Sequence, residues 1–211
     1  MPGRDERSVE WDAVGRVRLA AVAASGATYW RYWGKADPDV GGWHLAVFHM
    51  LDVAAVATRL LERSSPLRCR FAGLLGVREL DAVPVVAALV AMHDIGKVDV
   101  RFALKAPEVA ARLDPRWAGL GGSGPYDHGA WGYVHARDDR RLVEPFGAPD
   151  QLLPLFQAVA GHHGTLPSTQ PPRSGSAGAD LVRRFRTDDA GARSTFAADV
   201  VTAAGRSERA M

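Results

Sequence analysis

The stretch "AVPVVAALVAMHDIGK", residues 82–97, decides how this chain is read, because its most apolar run ends in His93, Asp94 and, two residues on, Gly96-Lys97. The run is rich in Ala, Val and Leu. Asp81 suits an N-cap, Pro84 is tolerable in a first turn and Gly96 lies near the end, so a helix is expected from about Asp81 through Met92. An acid set against such a run raises an energetic problem, since burying its charge without a cation or partner costs several kcal/mol. A bound metal ion would resolve that cost.

Working outward, the periodicity is helical almost everywhere. "WHLAVFHMLDVAAVATRLL", residues 43–61, has apolar spacings of three and four and no internal Gly or Pro, which predicts a long, largely buried helix. Residues 98–113 read as a short helical turn and then a helix starting at Pro107. "GLGGSGPYD", 119–127, reads as a flexible loop, with Asp127 capping a segment from His128 to Leu142. A shorter helix is expected over 149–163, a Pro/Ser/Gly-rich surface loop over 164–180, and a last helix from Asp188. No alternating strand pattern emerges, so the expected fold class is all-α.

Composition bounds the function. A chain of 211 residues and 22.7 kDa, 47% apolar and 24% charged, can bury a real core as one domain, which excludes a disordered tail or a fibrous repeat. Cys69 is the one cysteine and the opening "MPGRDERSVEW" is too charged for a secretory signal, so a reducing cytoplasm is expected. The run 82–92 is too short to cross a bilayer, so no membrane partner is expected. A net charge of +2 neither demands nor excludes an anionic partner.

The seven histidines carry the chemistry. Adjacent residues on a helix point about 100 degrees apart, so His93 and Asp94 present their side chains in different directions, as suits an aspartate bridging two ions beside a histidine that holds one. His162 and His163 repeat the device. Imidazole and carboxylate donors suit Mn, Fe, Co, Ni, Zn or Mg, and the lack of cysteine ligands argues against a structural zinc site. Lys97 is placed to contact a phosphate or to offset transition-state charge, or else it is solvated. Asp52, three residues after His49, is a candidate acceptor orienting that imidazole. His44 lies about 140 degrees around the helix from His49, and His135 about 10 Å along the axis from His128. Both read as structural or solvated.

Taken in order, "YWRYWGKAD" (29–37), "HMLDVAAVA" (49–57), "HDIGK" (93–97), "DHGAWG" (127–132) and "AGHHG" (160–164) resemble the HD-domain metal phosphohydrolases, and within them the nuclease domain of the CRISPR-associated type I interference helicase-nuclease. The resemblance implies an HD helical bundle with a metal site in its core. It further implies a metal-dependent endonuclease or exonuclease that cleaves single-stranded DNA in antiviral CRISPR interference. By the same likeness His49, His93 and Asp94 hold one divalent ion, while Asp94, His128, His162 and His163 hold a second; Asp94 and Lys97 serve catalysis. Two cations about 4 Å apart activate a water on one side of a phosphodiester and stabilise the leaving oxygen on the other. The implied partners are a helicase domain or subunit and an RNA-guided surveillance complex. An HD phosphohydrolase acting on nucleotides and a non-catalytic docking module stay open as alternatives.

The family's last ligand is an aspartate in a late apolar helix, in a segment like "ADW" that does not occur here. Asp199 reads as a surface acid instead, and the single domain over 1–211 is expected to stop before that helix, with weakened activity. Binding of DNA would draw charge from Arg31, Lys35, Lys97 and Arg101, and stacking from Tyr29, Trp30, Tyr32 or Trp33. The favoured reading of these aromatics is packing in the core.

Overall fold

A computed structural model describes residues 27–37, 42–122, 124–170, 172 and 176–209 of the chain. The apolar run forms the end of a helix, as expected, and its neighbours build a bundle around it. In chain order the helices are α1 (Ala46–Arg63), α2 (Ser65–Leu75), α3 (Glu79–Ala91), α4 (Val100–Ala103), α5 (Pro107–Leu113), α6 (His128–Asp138), α7 (Arg140–Val143), α8 (Pro149–Ala160) and α9 (Ser176–Arg209). Short 3-10 turns lie at Thr28–Arg31, Ile95–Lys97, Pro115–Trp117 and Glu144–Phe146. Helix α3 is central, packed against α1, α2, α8 and α9. The architecture is all-α, and no described helix is long and apolar enough to cross a membrane.

Buried side chains from most elements meet in one core, including Met50, Leu89, Met92, Ile95, Trp117, Phe156 and Phe196. Tyr29 and Tyr32 belong to it and Trp33 is buried beside Phe102 and Tyr126, so these aromatics pack inside as the favoured reading held. Each of these aromatics carries a large apolar area out of water. Two of their polar ends are satisfied inside: Tyr32 donates to Asp189 at 2.6 Å and Trp33 Nε1 to the Ala103 carbonyl at 2.8 Å.

Several local expectations need correction. A two-stranded antiparallel hairpin, β1 (Trp33–Asp37) and β2 (Gly42–Leu45), stands where no strand was foreseen. These strands are too short for an alternation to register, and β2 is largely exposed. The hairpin takes up Trp43-His44-Leu45, so α1 starts at Ala46 rather than Trp43. Helix α2 was not foreseen; its start is set by Ser64, whose hydroxyl accepts from the Leu67 amide, and by Pro66 in the first turn. Helix α3 starts at Glu79 and α6 ends at Asp138, where Asp139 caps the separate turn α7. The final helix begins at Ser176, inside the expected loop. Its buried stripe, Phe185, Asp189, Arg193, Phe196 and Val200, has helical spacing, but two charged members hide it from an apolar count. Asp199 is not a bare surface acid: it is half-buried and accepts from the Tyr29 hydroxyl at 2.7 Å.

Candidate metal centre

The site gathers four separate segments. Helix α1 presents His49, the turn after α3 presents His93 and Asp94, the first residue of α6 is His128, and the turn after α8 presents His162 and His163. Asp127 caps α6 by accepting from the Ala130 amide at 3.0 Å, as expected from the sequence, and so fixes where His128 begins the helix. Two glycines allow the segments to touch. A Cβ on Gly96 would lie 1.9 Å from the His128 carbonyl oxygen, and one on Gly129 would lie 2.8 Å from the Ala160 carbonyl oxygen. Only hydrogen fits in either place, so the turn, α6 and α8 close on one another.

Asp94 lies at the middle, 1% exposed, with its two oxygens facing different groups. Oδ2 is 3.0 Å from His49 Nε2, 3.2 Å from His93 Nε2 and 2.6 Å from Lys97 Nζ. Oδ1 is 3.1 Å from His128 Nε2 and 3.4 Å from His162 Nε2, yet it is buried without a hydrogen bond. His163 joins the second group through His128, their Nε2 atoms 2.9 Å apart. Two sets of three ligand-type atoms result: His49, His93 and Asp94, and His128, His162 and His163.

Second contacts aim the rings. His93 Nδ1 lies 2.9 Å from the Val90 carbonyl and His162 Nδ1 3.1 Å from the Val159 carbonyl. A carbonyl can only accept, so both Nδ1 atoms carry a proton and both Nε2 atoms face the cavity. Burial, with the Lys97 charge second, pushes His49 down to about 4, so its ring is neutral near pH 7. Burial likewise lowers His162. For Asp94 burial raises the pKa, but the His128 and His93 imidazoles and the Lys97 ammonium outweigh it and hold the carboxyl well below the usual carboxylate range. The lowered His49 and His162 beside an ionised Asp94 are the donor state a divalent cation requires. An orphaned buried oxygen and Nε2 atoms facing one another fit the same ligand. These residues fit a metal ion.

The cavity measures about 520 Å³, and no Ser, Thr or Cys among the described residues lines it.

The sequence pattern of the family described as "Cas3, HD domain" matches residues 33–209. The chain belongs to the Cas3 HD-domain family. A relative named CRISPR-associated endonuclease/helicase Cas3 from Escherichia coli is 30% identical over 158 residues, covering 66% of this chain and 18% of its own length. The protein of the same name from Thermus thermophilus is 32% identical over 158 residues, covering 74% of this chain and 16% of its own. A solved structure described as a crystal structure of a CRISPR-associated protein is 29% identical, with a TM-score of 0.55 over 91% of this chain and 20% of that one. The chain thus spans less than a fifth of the length of these two Cas3 relatives.

Within this Cas3 HD-family fold, every histidine and aspartate singled out as a ligand reaches the cavity, and so does Lys97, which is buried on Asp94 and not solvated. Asp52 does not reach it: the carboxylate is exposed and lies 3.3 Å from His44 Nε2, away from the His49 ring it was expected to orient. Arg101 is also withdrawn. It is 3% exposed, holds Asp99 through two nitrogens and stacks 3.8 Å from the Trp131 ring, so it offers no charge to a strand. His135 is structural as expected, 3.1 Å from Asp99. Two supporting residues carried no sequence signal: Tyr126 donates to the Gly96 carbonyl at 2.8 Å, and Arg193 to the Val98 carbonyl at 2.8 Å. Both grip backbone, which has no residue type to search for.

Proposed function

We propose that this chain is a metal-dependent nuclease domain that hydrolyses phosphodiester bonds of single-stranded DNA in CRISPR interference. The observation that carries the reading is the split of Asp94, one oxygen toward His49, His93 and Lys97, the other toward His128 and His162. That is the arrangement of a carboxylate shared between two cations. His49, His93 and Asp94 would hold one, and Asp94, His128, His162 and His163 the other, from among Mn, Fe, Co, Ni or Mg. When bound, such ions lower the pKa of a water and neutralise charge developing on a phosphodiester.

The chain's own residues do the rest. Among the described residues no hydroxyl or thiol lines the cavity, and water is the nucleophile in this reading. The Val90 and Val159 carbonyls keep two rings in register for their ligand. Lys97 balances the charge of Asp94 and sets a fixed cation where an anionic phosphate would arrive. A helicase domain or subunit, as in the relatives' printed names, would deliver the strand, and an RNA-guided surveillance complex would direct it.

Incubation with circular single-stranded DNA and Mn, Co or Ni tests the reading. Nicking that disappears with chelator and in Asp94→Ala is expected. Efficient hydrolysis of nucleotides with intact circles would transfer the site to a small phosphoester, and inertness toward both substrates would end the enzymatic reading.

A further inference from the structure

Of the four basic residues that the sequence offers for a DNA path, the structure commits three elsewhere. Arg31 faces Asp114 at 3.4 Å, Arg101 is buried on Asp99, and Lys97 sits 2.6 Å from Asp94. Lys35 differs. It is exposed, its ammonium pairs with no described carboxylate, and it lines the same cavity as His49, Asp94 and Lys97.

The backbone beneath it is held firmly. Trp33, two positions before, is buried with its ring 4.5 Å from Phe102, and the Tyr32 carbonyl accepts from the Ala46 amide at 2.8 Å. Across the hairpin Lys35 pairs with His44, and the register shifts between Trp33 and Lys35. Such an irregularity re-aims the side chain that follows it, and is common beside active sites. A flexible, strongly hydrated ammonium on a rigid strand at a cavity mouth suits a phosphate that slides past, since it needs no fixed bidentate geometry.

We propose that Lys35 is a positioning residue that binds a backbone phosphate flanking the one to be cut, drawing the strand across the mouth of the cavity. This rests on the nuclease reading above. Because the contact is to an uncut phosphate, it lowers KM and contributes little to kcat.

The test uses the 211-residue chain, a fluorescent oligothymidylate and three variants, Lys35→Ala, Lys35→Arg and Arg63→Ala. Arg63 carries the same charge at the far end of α1, 14 residues from His49 (63 − 49), about 21 Å along the axis. In chelator, where the strand is not cut, Lys35→Ala is expected to weaken binding about three- to tenfold and to lower the slope of log affinity against log salt by about 0.7. Lys35→Arg should keep that slope, and Arg63→Ala should match the parent. With Mn present, Lys35→Ala should raise KM by a similar factor while kcat and the Mn affinity hold. A slope and KM equal to those of Arg63→Ala, in a parent that binds and cuts, overturns the role of Lys35 alone. A parent that neither binds nor cuts overturns the nuclease reading, and Lys35's role with it.

Discussion

Asp94 and Asp99 are near neighbours in sequence, both almost fully buried and both in contact with histidine, yet they do opposite things. Asp99 is saturated: Oδ1 takes the Arg101 amide and Nε at 2.9 Å, and Oδ2 takes Arg101 Nη2 at 2.7 Å and His135 Nε2 at 3.1 Å. Asp94 faces a cavity with Lys97 on one oxygen and an oxygen on the other side that no hydrogen bond reaches. One carboxylate closes a network and the other leaves a place for a cation. Burial alone therefore does not mark a site; the unmet acceptor does.

Each half of this contrast can be broken separately. The largest effect is expected from Asp94→Ala, which removes the oxygens common to both groups. Nicking should fall about 10³-fold or more, and calorimetric titration with Mn should lose its binding heat. Retained Mn binding would mean that the two histidine groups do not depend on the shared carboxylate. Asp99→Ala should instead act on stability, by about 3–5 kcal/mol, since Arg101 and His135 lose their carboxylate inside the protein. Urea unfolding reads this loss, and the Mn affinity of the folded fraction should match the parent.

The buried network also holds two groups that work against each other with pH. Burial, then the charge of Arg193, lowers His135 to about 4, so the unfolded chain takes up a proton below its ordinary 6.5 before the folded one does. That contribution to stability is lost as pH falls from about 6.5 to about 4. Burial, then the charge of Asp99, raises Asp189 to about 7, so its contribution is complete below 3.8 and is lost as pH rises through about 7. The two trends cancel over most of the same window. His135→Asn removes the first, so stability relative to the parent should fall with rising pH by about 1.4 kcal/mol per unit between about pH 4 and 6.5. Parallel pH profiles of urea midpoints for the two proteins would contradict it. The smallest effect is expected at Asp52, whose exposed contact to His44 lies outside both networks. Asp52→Ala should change stability by less than about 0.5 kcal/mol, and Mn titration should be unaltered.

The bundle and its candidate ligands were legible in the sequence because their signals are local. Apolar spacing marked α1 and α3, and Asp127 announced the start of α6 three residues before its bond to Ala130. What escaped was decided across the chain. The hairpin and α2 have no strong period, and α9 hides Asp189 and Arg193 in its buried stripe because their partners are Tyr32, Val100 and Val98. Asp52 was misjudged for the same reason: helical spacing put it near His49, but β2 brought His44 to it first.

Residue types and their order alone determined that this chain is helical and marked five histidines and one aspartate as candidate ligands, since helix formation and side-chain chemistry are properties of short segments. The tertiary structure alone decided that Asp94 divides its oxygens between two groups while Asp99 does not, and that Lys35 rather than Arg101 keeps its charge at the cavity. Those outcomes depend on close approach between distant segments, which contacts such as Gly96 against His128 permit and no local pattern encodes.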